Sequence, residues 1–244
     1  MKKVLLLAVI SLSILSARAS ENAIDSLQYK ITPTTPDVTK AAIFNQMATA
    51  YMNYPSIQDR SVKAEYQEKA LKYTFNAIHA YSRLDDSSSL RTSFDRLAKI
   101  YRDQRKYSQA KWYILQANTI ARAQNDLPYI TESLITLAGI KMDNKNYDWA
   151  EGDLGEALAI ASINRFSEQQ ADVMLSYTRL WRNLHRPLKA SQAEARYAFM
   201  KDSMTKDSAA KVMAKVVTKK KSLPVTARLV KNTIPKTAVA YTSL

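Results

Sequence analysis

A stretch of this chain recurs 40 residues further along the sequence. The first copy contains Phe94, Leu97, Ala98, Ile100, Asp103, Tyr107, Ala110, Ile114, Ala117, Ile120 and Ala121, and the second contains Leu134, Leu137, Ala138, Ile140, Asp143, Tyr147, Ala150, Leu154, Ala157, Ile160 and Ala161. Self-similarity at one fixed spacing is typical of a solenoid, in which each unit buries its apolar face only against its neighbours. The spacing therefore predicts a stack of similar units, and it favours a binding scaffold over an enzyme.

The hydrophobic pattern within the repeated region is helical. From about residue 37 to residue 206, apolar residues recur three and four positions apart, and the whole chain contains only three glycines. Breaks fall at turn-forming clusters such as Tyr54-Pro55-Ser56 and Asp126-Leu127-Pro128. We expect eight helices in four pairs, at 37–53 with 59–84, 88–103 with 107–124, 128–143 with 147–164, and 168–184 with 187 to about 217.

Two of the expected helix starts carry capping signals. Thr35 precedes Pro36 and Asp37, so it is predicted to cap the first helix through its hydroxyl group. Ser167 and Gln170 have the spacing of a capping box, in which the serine and the glutamine each bond to the other's backbone N–H. This motif predicts the start of the seventh helix.

The two central pairs share a pattern of bulky and small residues. Each has a bulky apolar residue, then Leu-Ala three positions later, an aromatic residue that opens the second helix, and alanines spaced along that helix. The residues are Phe94, Leu97, Ala98, Tyr101, Tyr107, Ala110, Ile114 and Ala117 in one pair, and Leu134, Leu137, Ala138, Tyr147, Ala150, Leu154 and Ala157 in the next. This pattern resembles the tetratricopeptide repeat (TPR) family. The resemblance implies an all-α fold, a right-handed α-solenoid of about four antiparallel helix pairs.

The alanines of this pattern have a packing role. Ala110 and Ala150 are predicted to be buried at equivalent helix contacts, where a bulkier side chain would overpack by about 1 to 3 kcal/mol. The outer pairs fit the pattern less closely, as the terminal repeats of an array do.

The N-terminus has the features of a secretory signal peptide. Lys2 and Lys3 precede an apolar run at 4–15, and Ala17-Arg18-Ala19 has the small residues of a cleavage site. Residues 1–19 are therefore predicted to be removed, which makes the mature protein periplasmic or secreted. An uncleaved anchor is the less favoured alternative, because a helix needs about 20 apolar residues to cross a membrane.

The amino-acid composition limits which covalent links and binding partners are expected. The chain has no cysteine, which excludes disulfides, thiolate sites and a lipoprotein anchor. Its net charge is +14, but most of this charge lies in the leader and after residue 200. The repeat body is therefore nearly neutral, and we expect no nucleic-acid partner. Residues 20–36 are predicted to be a linker, and 218–244 a basic, disordered tail able to contact an anionic envelope surface.

Catalytic chemistry finds little support. The two histidines, His79 and His185, have no second ligand at metal-binding spacing. Gly139, Gly152 and Gly155 all lie within helical runs, so none forms a phosphate-binding loop. We therefore expect no metal, no cofactor and no catalytic residue.

The TPR resemblance implies a binding groove, because in that family the first helices of successive pairs line the concave face. Here the residues of those helices that point away from the packing positions are Asn45, Gln46, Thr49, Asp95, Lys99, Arg102, Glu132, Thr136, Gly139, Asp172, Arg179 and Arg182. The four cations among them predict a groove that holds a carboxylate or an acidic peptide through charge-assisted hydrogen bonds.

Two functions follow from this reading. The first is an exported, non-catalytic TPR-like adaptor that binds a peptide or protein segment in its concave groove. The alternative is a stand-alone sensing module that acts in trans with a membrane regulator, since the long repeats and the charged helix after them resemble extracytoplasmic TPR arrays of bacterial sensor kinases and regulators.

Overall fold

The computed structural model describes the backbone of residues 26–221 and the side chains of residues 26–211. The predicted signal peptide lies outside the described residues, and so do residues 222–244 of the predicted tail at 218–244. The prediction of disorder is wrong for 218–221, because the last helix continues to Lys221.

The described chain is built from helices, and residues 26–221 contain no strand. After a single helical turn at 26–29, the helices are α1 (Asp37–Tyr51), α2 (Arg60–Arg83), α3 (Ser87–Asp103), α4 (Tyr107–Ala123), α5 (Leu127–Asp143), α6 (Tyr147–Ile163), α7 (Ser167–Asn183) and α8 (Pro187–Lys221). Each helix packs against the next, most extensively within the pairs α1/α2, α3/α4, α5/α6 and α7/α8. The predicted all-α fold of stacked antiparallel pairs is confirmed. Over the described range, no helix combines the length and the apolar character needed to cross a membrane.

The six turns that join α2 to α8 are copies of one another. Each contains one residue in the left-handed region, with φ between 52° and 62°: Asp85, Arg105, Asn125, Lys145, Arg165 and His185. In each turn the next residue donates its N–H to a carbonyl five positions back, as Lys106 does to Tyr101 at 2.8 Å. This is the Schellman arrangement that ends a helix. Because the left-handed residues lie 20 positions apart, two backbone units of equal length make up one sequence repeat.

Small side chains set the distance between helices. Ala98, Ala110, Ala138 and Ala150 are all 0% exposed. Ala98 and Ala110 share a cluster with Leu137 of the following pair, and Ala138 and Ala150 belong to the next cluster along the stack. The equivalent alanines therefore lie at equivalent seams, as the repeat predicts.

The longer connection between α1 and α2 anchors the first pair to the second. It contains a 3₁₀ turn at Tyr54–Ser56, and the side chain of Tyr54 is completely buried. The Tyr54 hydroxyl donates a 2.7 Å hydrogen bond to Oδ2 of Asp103, at the end of α3. The inserted residues thus tie the start of the array to its second repeat.

Both predicted capping motifs are wrong. Gln170 donates from Nε2 to the carbonyl of Ala161 at 2.9 Å, so it caps the end of α6, and no side chain caps the start of α7. The Thr35 hydroxyl donates to the carbonyl of Lys30, and α1 has no side-chain cap. Aspartates cap other helices instead, as Asp126 does by accepting from the N–H of Tyr129.

Candidate functional site

We call the surface of α1, α3, α5 and α7, which are the first helices of the pairs, the inner groove. Two of them, α5 and α7, contact each other directly across the intervening α6. A cavity of about 470 Å³ opens between α3, α5 and α7. Its lining includes Arg102, Ile135, Thr136, Gly139, Met142, Leu175, Ser176, Arg179, Arg182 and Asn183.

Two arginines share one carboxylate at this cavity. Arg102 Nε of α3 donates to Oδ2 of Asp143 at 2.6 Å, and Arg179 Nη2 of α7 donates to Oδ1 of the same side chain. The Arg102 and Asp143 side chains are 27% and 22% exposed. Three successive pairs therefore contribute to one ionic cluster, and two cations against one anion leave it positively charged.

A glycine makes room for this cluster. A Cβ atom added to Gly139 would lie 2.9 Å from Nη2 and 3.1 Å from Nη1 of Arg102, closer than ordinary van der Waals contact. Gly139 is thus the position over which the guanidinium of Arg102 lies. In the 40-residue register, Gly139 is equivalent to Lys99 and to Arg179. A glycine between two cations at the equivalent positions 99, 139 and 179 is the sequence signal that could have located the site.

Carboxylates lie nearer the other end of the same helices. Burial raises the pKa of Asp95 on α3, with a smaller contribution from the charge of Glu132 on α5. Burial also raises the pKa of Asp172 on α7, and Glu168 adds to the effect. Carboxylates thus lie toward the N-terminal ends of these helices, beside Arg91 of α3, whose charge lowers the pKa of Asp95, while Arg102 and Arg182 lie in the last turns of α3 and α7.

The predicted groove residues of α1 have a structural partner. Arg96 Nη2 donates to Oδ1 of Asn45 at 2.8 Å and to the Thr49 hydroxyl at 3.0 Å. Sequence reasoning missed Arg96, whose pKa is lowered by burial. These contacts join α1 to α3, and neither Asn45 nor Thr49 is among the residues that line the cavity. Gln46 is exposed on the same helix.

Of the other predicted residues, two line the cavity and Lys99 does not. Thr136 and Arg182 line the cavity, and Arg182 also donates to Oε2 of Glu194 on α8 at 2.7 Å. Lys99 is exposed on α3. Among the residues whose side chains are described, no group of three or more histidines and carboxylates could hold a metal ion.

Comparisons with known proteins identify the fold. No protein-family profile matches the sequence, and no curated protein matches it. Solved structures do: BtubC (BKLC) from P. vanneervenii has a TM-score of 0.60 at 15% identity, over 76% of this chain and 72% of that one. A kinesin light chain of Podosopora anserina with nearly identical TPR-like repeats has a TM-score of 0.56 at 15% identity, over 76% and 85%.

A third similar structure is aspartyl phosphate phosphatase F from Bacillus subtilis, with a TM-score of 0.63 at 16% identity. The match covers 78% of this chain but only 46% of the phosphatase. At such identities the likeness concerns the fold alone. The TPR-like solenoid that the sequence predicts is thereby confirmed.

Proposed function

We propose that this protein is an exported, non-catalytic scaffold that binds an acidic peptide or protein segment of a partner in its inner groove. The fold supports interaction with other proteins, because TPR-like stacks present long continuous surfaces. A fold of this kind does not by itself specify an activity, so the proposal depends on the chemistry of the groove.

The observation that carries the proposal is the shared carboxylate of Arg102 and Arg179. Each guanidinium has five N–H donors, and the bonds to Asp143 engage Nε of one arginine and Nη2 of the other. Donors therefore remain for an incoming carboxylate, and charge-assisted bonds of this kind are the strong ones.

The rest of the cavity suits a peptide. Ile135, Met142 and Leu175 offer apolar surface beside the arginines, while Thr136 and Ser176 offer hydroxyl groups. A segment with an aspartate or glutamate next to an apolar residue could use both kinds of surface at once. The groove continues along α3, α5 and α7, which gives an extended segment room to bind.

A peptide array tests this proposal. The protein is expected to select random dodecapeptides enriched in aspartate and glutamate, and Arg179→Glu is expected to reduce the enrichment clearly. Lys72→Glu is the matched control, because Lys72 is exposed on α2, outside the inner groove, and the variant makes the same change of charge. Unselective binding by the unaltered protein, or acidic selection that is as strong in Arg179→Glu as in Lys72→Glu, would refute the groove assignment.

Export is tested separately. The proposal expects the mature chain to begin at Ser20, because Ala17-Arg18-Ala19 resembles a signal-peptidase site. Expression of the full chain in a bacterial host, followed by fractionation and N-terminal sequencing, reads this out. A full-length cytoplasmic product would contradict export and would leave the groove proposal intact.

The basic C-terminal region is proposed to add affinity for an anionic envelope surface. Removal of residues 218–244 is expected to reduce binding to vesicles containing phosphatidylglycerol. The reduction should shrink as salt is added, because exposed charges are screened. Vesicle binding that is unchanged by the truncation would count against this role.

A further inference from the structure

A second cleft lies on the other side of α7, between α6 and α8. Its volume is about 440 Å³, and it is lined by Glu151, Leu158, Met174, Tyr177, Trp181, Lys189, Gln192, Ala193 and Arg196. We call it the outer cleft. Leu175 and Arg179 of α7 line the inner cavity, whereas Tyr177 and Trp181 of the same helix line the outer cleft. The two sites therefore occupy different faces of α7.

Aromatic rings and cations are layered in the outer cleft. The rings of Tyr177 and Trp181 stack with centroids 5.9 Å apart and planes 11° from parallel. Lys189 Nζ lies 4.5 Å from the Trp181 ring centroid, and the guanidinium carbon of Arg186 lies 5.6 Å from it. Such cation–π contacts hold a cation in place without neutralising its charge.

The cations of this cleft are not neutralised. Among the described side chains, neither Lys189 nor Arg196 forms an ion pair with any carboxylate. Glu151 is the one carboxylate of the lining, and its charge adds to the burial that raises the pKa of Tyr177. Two unpaired cations face one anion, so the cleft carries a net positive charge above an apolar floor.

An equivalent cleft one repeat earlier provides an internal comparison. It has a volume of about 340 Å³ and is lined by Lys111, Leu115, Leu137, Lys141, Asn146 and Trp149. Here Lys141 forms an ion pair with Asp153 at 2.7 Å, which leaves Lys111 as the cation of the lining without such a partner in the described chain. The repeat thus builds the same kind of cleft twice, but only the later one keeps two unpaired cations.

We propose that the outer cleft is a second docking site, and that its occupant is an acidic peptide segment in which a large apolar residue neighbours aspartate or glutamate. The apolar side chain lies on Leu158, Met174 and Ala193, and the carboxylates bind Lys189 and Arg196. Charge complementarity selects this occupant, because a basic or neutral segment would leave both cations unpaired. The scaffold then holds two segments at once, one on each side of α7.

Isothermal titration calorimetry with the full chain tests the second site. The probe is the peptide acetyl-Asp-Glu-Phe-Leu-Asp-Glu-amide, and its matched control replaces the acidic residues with Asn and Gln. The acidic peptide is expected to bind saturably, and the amide peptide is expected to bind about tenfold or more weakly, because a charge-assisted hydrogen bond contributes more than a neutral one.

Variants locate the binding. In the Arg179→Glu background, which removes the inner-groove site, Lys189→Glu and Arg196→Glu are each expected to weaken peptide binding about tenfold or more, while Lys111→Glu in the earlier cleft leaves the affinity unchanged. Both residues are exposed, and an unchanged circular dichroism melt verifies that each variant folds. Absence of saturable binding, or affinity that neither variant lowers, overturns the proposal. Loss of binding in Arg179→Glu alone would place the peptide in the inner groove, which refutes the second site and supports the first.

Discussion

Replacing Lys145 with glycine is expected to stabilise this protein, although glycine normally weakens helical proteins. Lys145 has a φ of 62°, and Arg105 and Arg165 have φ values of 60° and 58°. A residue with a Cβ atom in the left-handed region lowers the stability of the folded protein by about 1–2 kcal/mol. Glycine lowers it by about 0.5–1 kcal/mol, because its unfolded backbone has more conformational entropy to lose. The midpoints of these two ranges differ by about 0.75 kcal/mol in favour of glycine at each turn. All three side chains are exposed, so little packing is lost.

Equilibrium urea unfolding measures the effect. In the triple variant Arg105→Gly, Lys145→Gly, Arg165→Gly, the free energy of unfolding is expected to rise by about 2 kcal/mol, because separate turns contribute additively. Asn125→Gly is a graded control, since asparagine already tolerates a positive φ and should gain less. Lys111→Gly, within α4, should instead lose about 1 kcal/mol. If Lys145→Gly lost stability as Lys111→Gly does, the reasoning about the turns would be refuted.

Three further predictions concern single residues. Gly139→Ala is expected to displace the Arg102 guanidinium and to weaken the binding of acidic peptides on an array, without lowering the melting temperature. Its control is Gly152→Ala, whose added Cβ meets no atom within 4 Å. This control should bind peptides normally, and its free energy of unfolding in urea should rise by about 1 kcal/mol. Tyr54→Phe removes the buried hydrogen bond to the carboxylate that ends α3 and should cost about 1.5 kcal/mol by the same assay; no loss would show that the bond is replaced by water at no cost. Because burial raises the pKa of Asp95 above 3.8, this carboxyl favours folding most below that pH and loses its contribution as the pH rises, so Asp95→Asn should stabilise the protein at neutral pH and much less in acid.

The fold could be predicted because its determinants are local and periodic. Alanines such as Ala110 and Ala150 recur in phase, and buried small residues in phase leave few ways for helices to pack. The capping motifs were misassigned for a related reason. The amide of Gln170 can satisfy either its own helix or the end of the preceding one, and the choice depends on how the chain turns between them.

The candidate site could be predicted only in part. Arg102 and Arg179 belong to the predicted set, but the carboxylate between them does not, because Asp143 reads as a turn residue when its own pair is considered alone. The contact depends on how three pairs stack, which no single repeat encodes. Arg96 was missed because it lies next to the packing residue Leu97 on α3. Its partners Asn45 and Thr49 belong to the first pair, where the longer connection between the helices interrupts the 40-residue spacing.

The equal length of the turns restricts how this protein can grow or shrink. Duplicating a 40-residue segment would add one more helix pair. It would lengthen the inner groove, and the side of the array that contains the outer cleft, by one pair. Inserting only 20 residues, the spacing of the left-handed positions, would preserve the geometry of every turn. It would, however, turn every later first helix of a pair into a second helix and the reverse, so that side chains suited to solvent would be buried between helices. Lengthening by duplication is therefore open to this architecture only in whole sequence repeats.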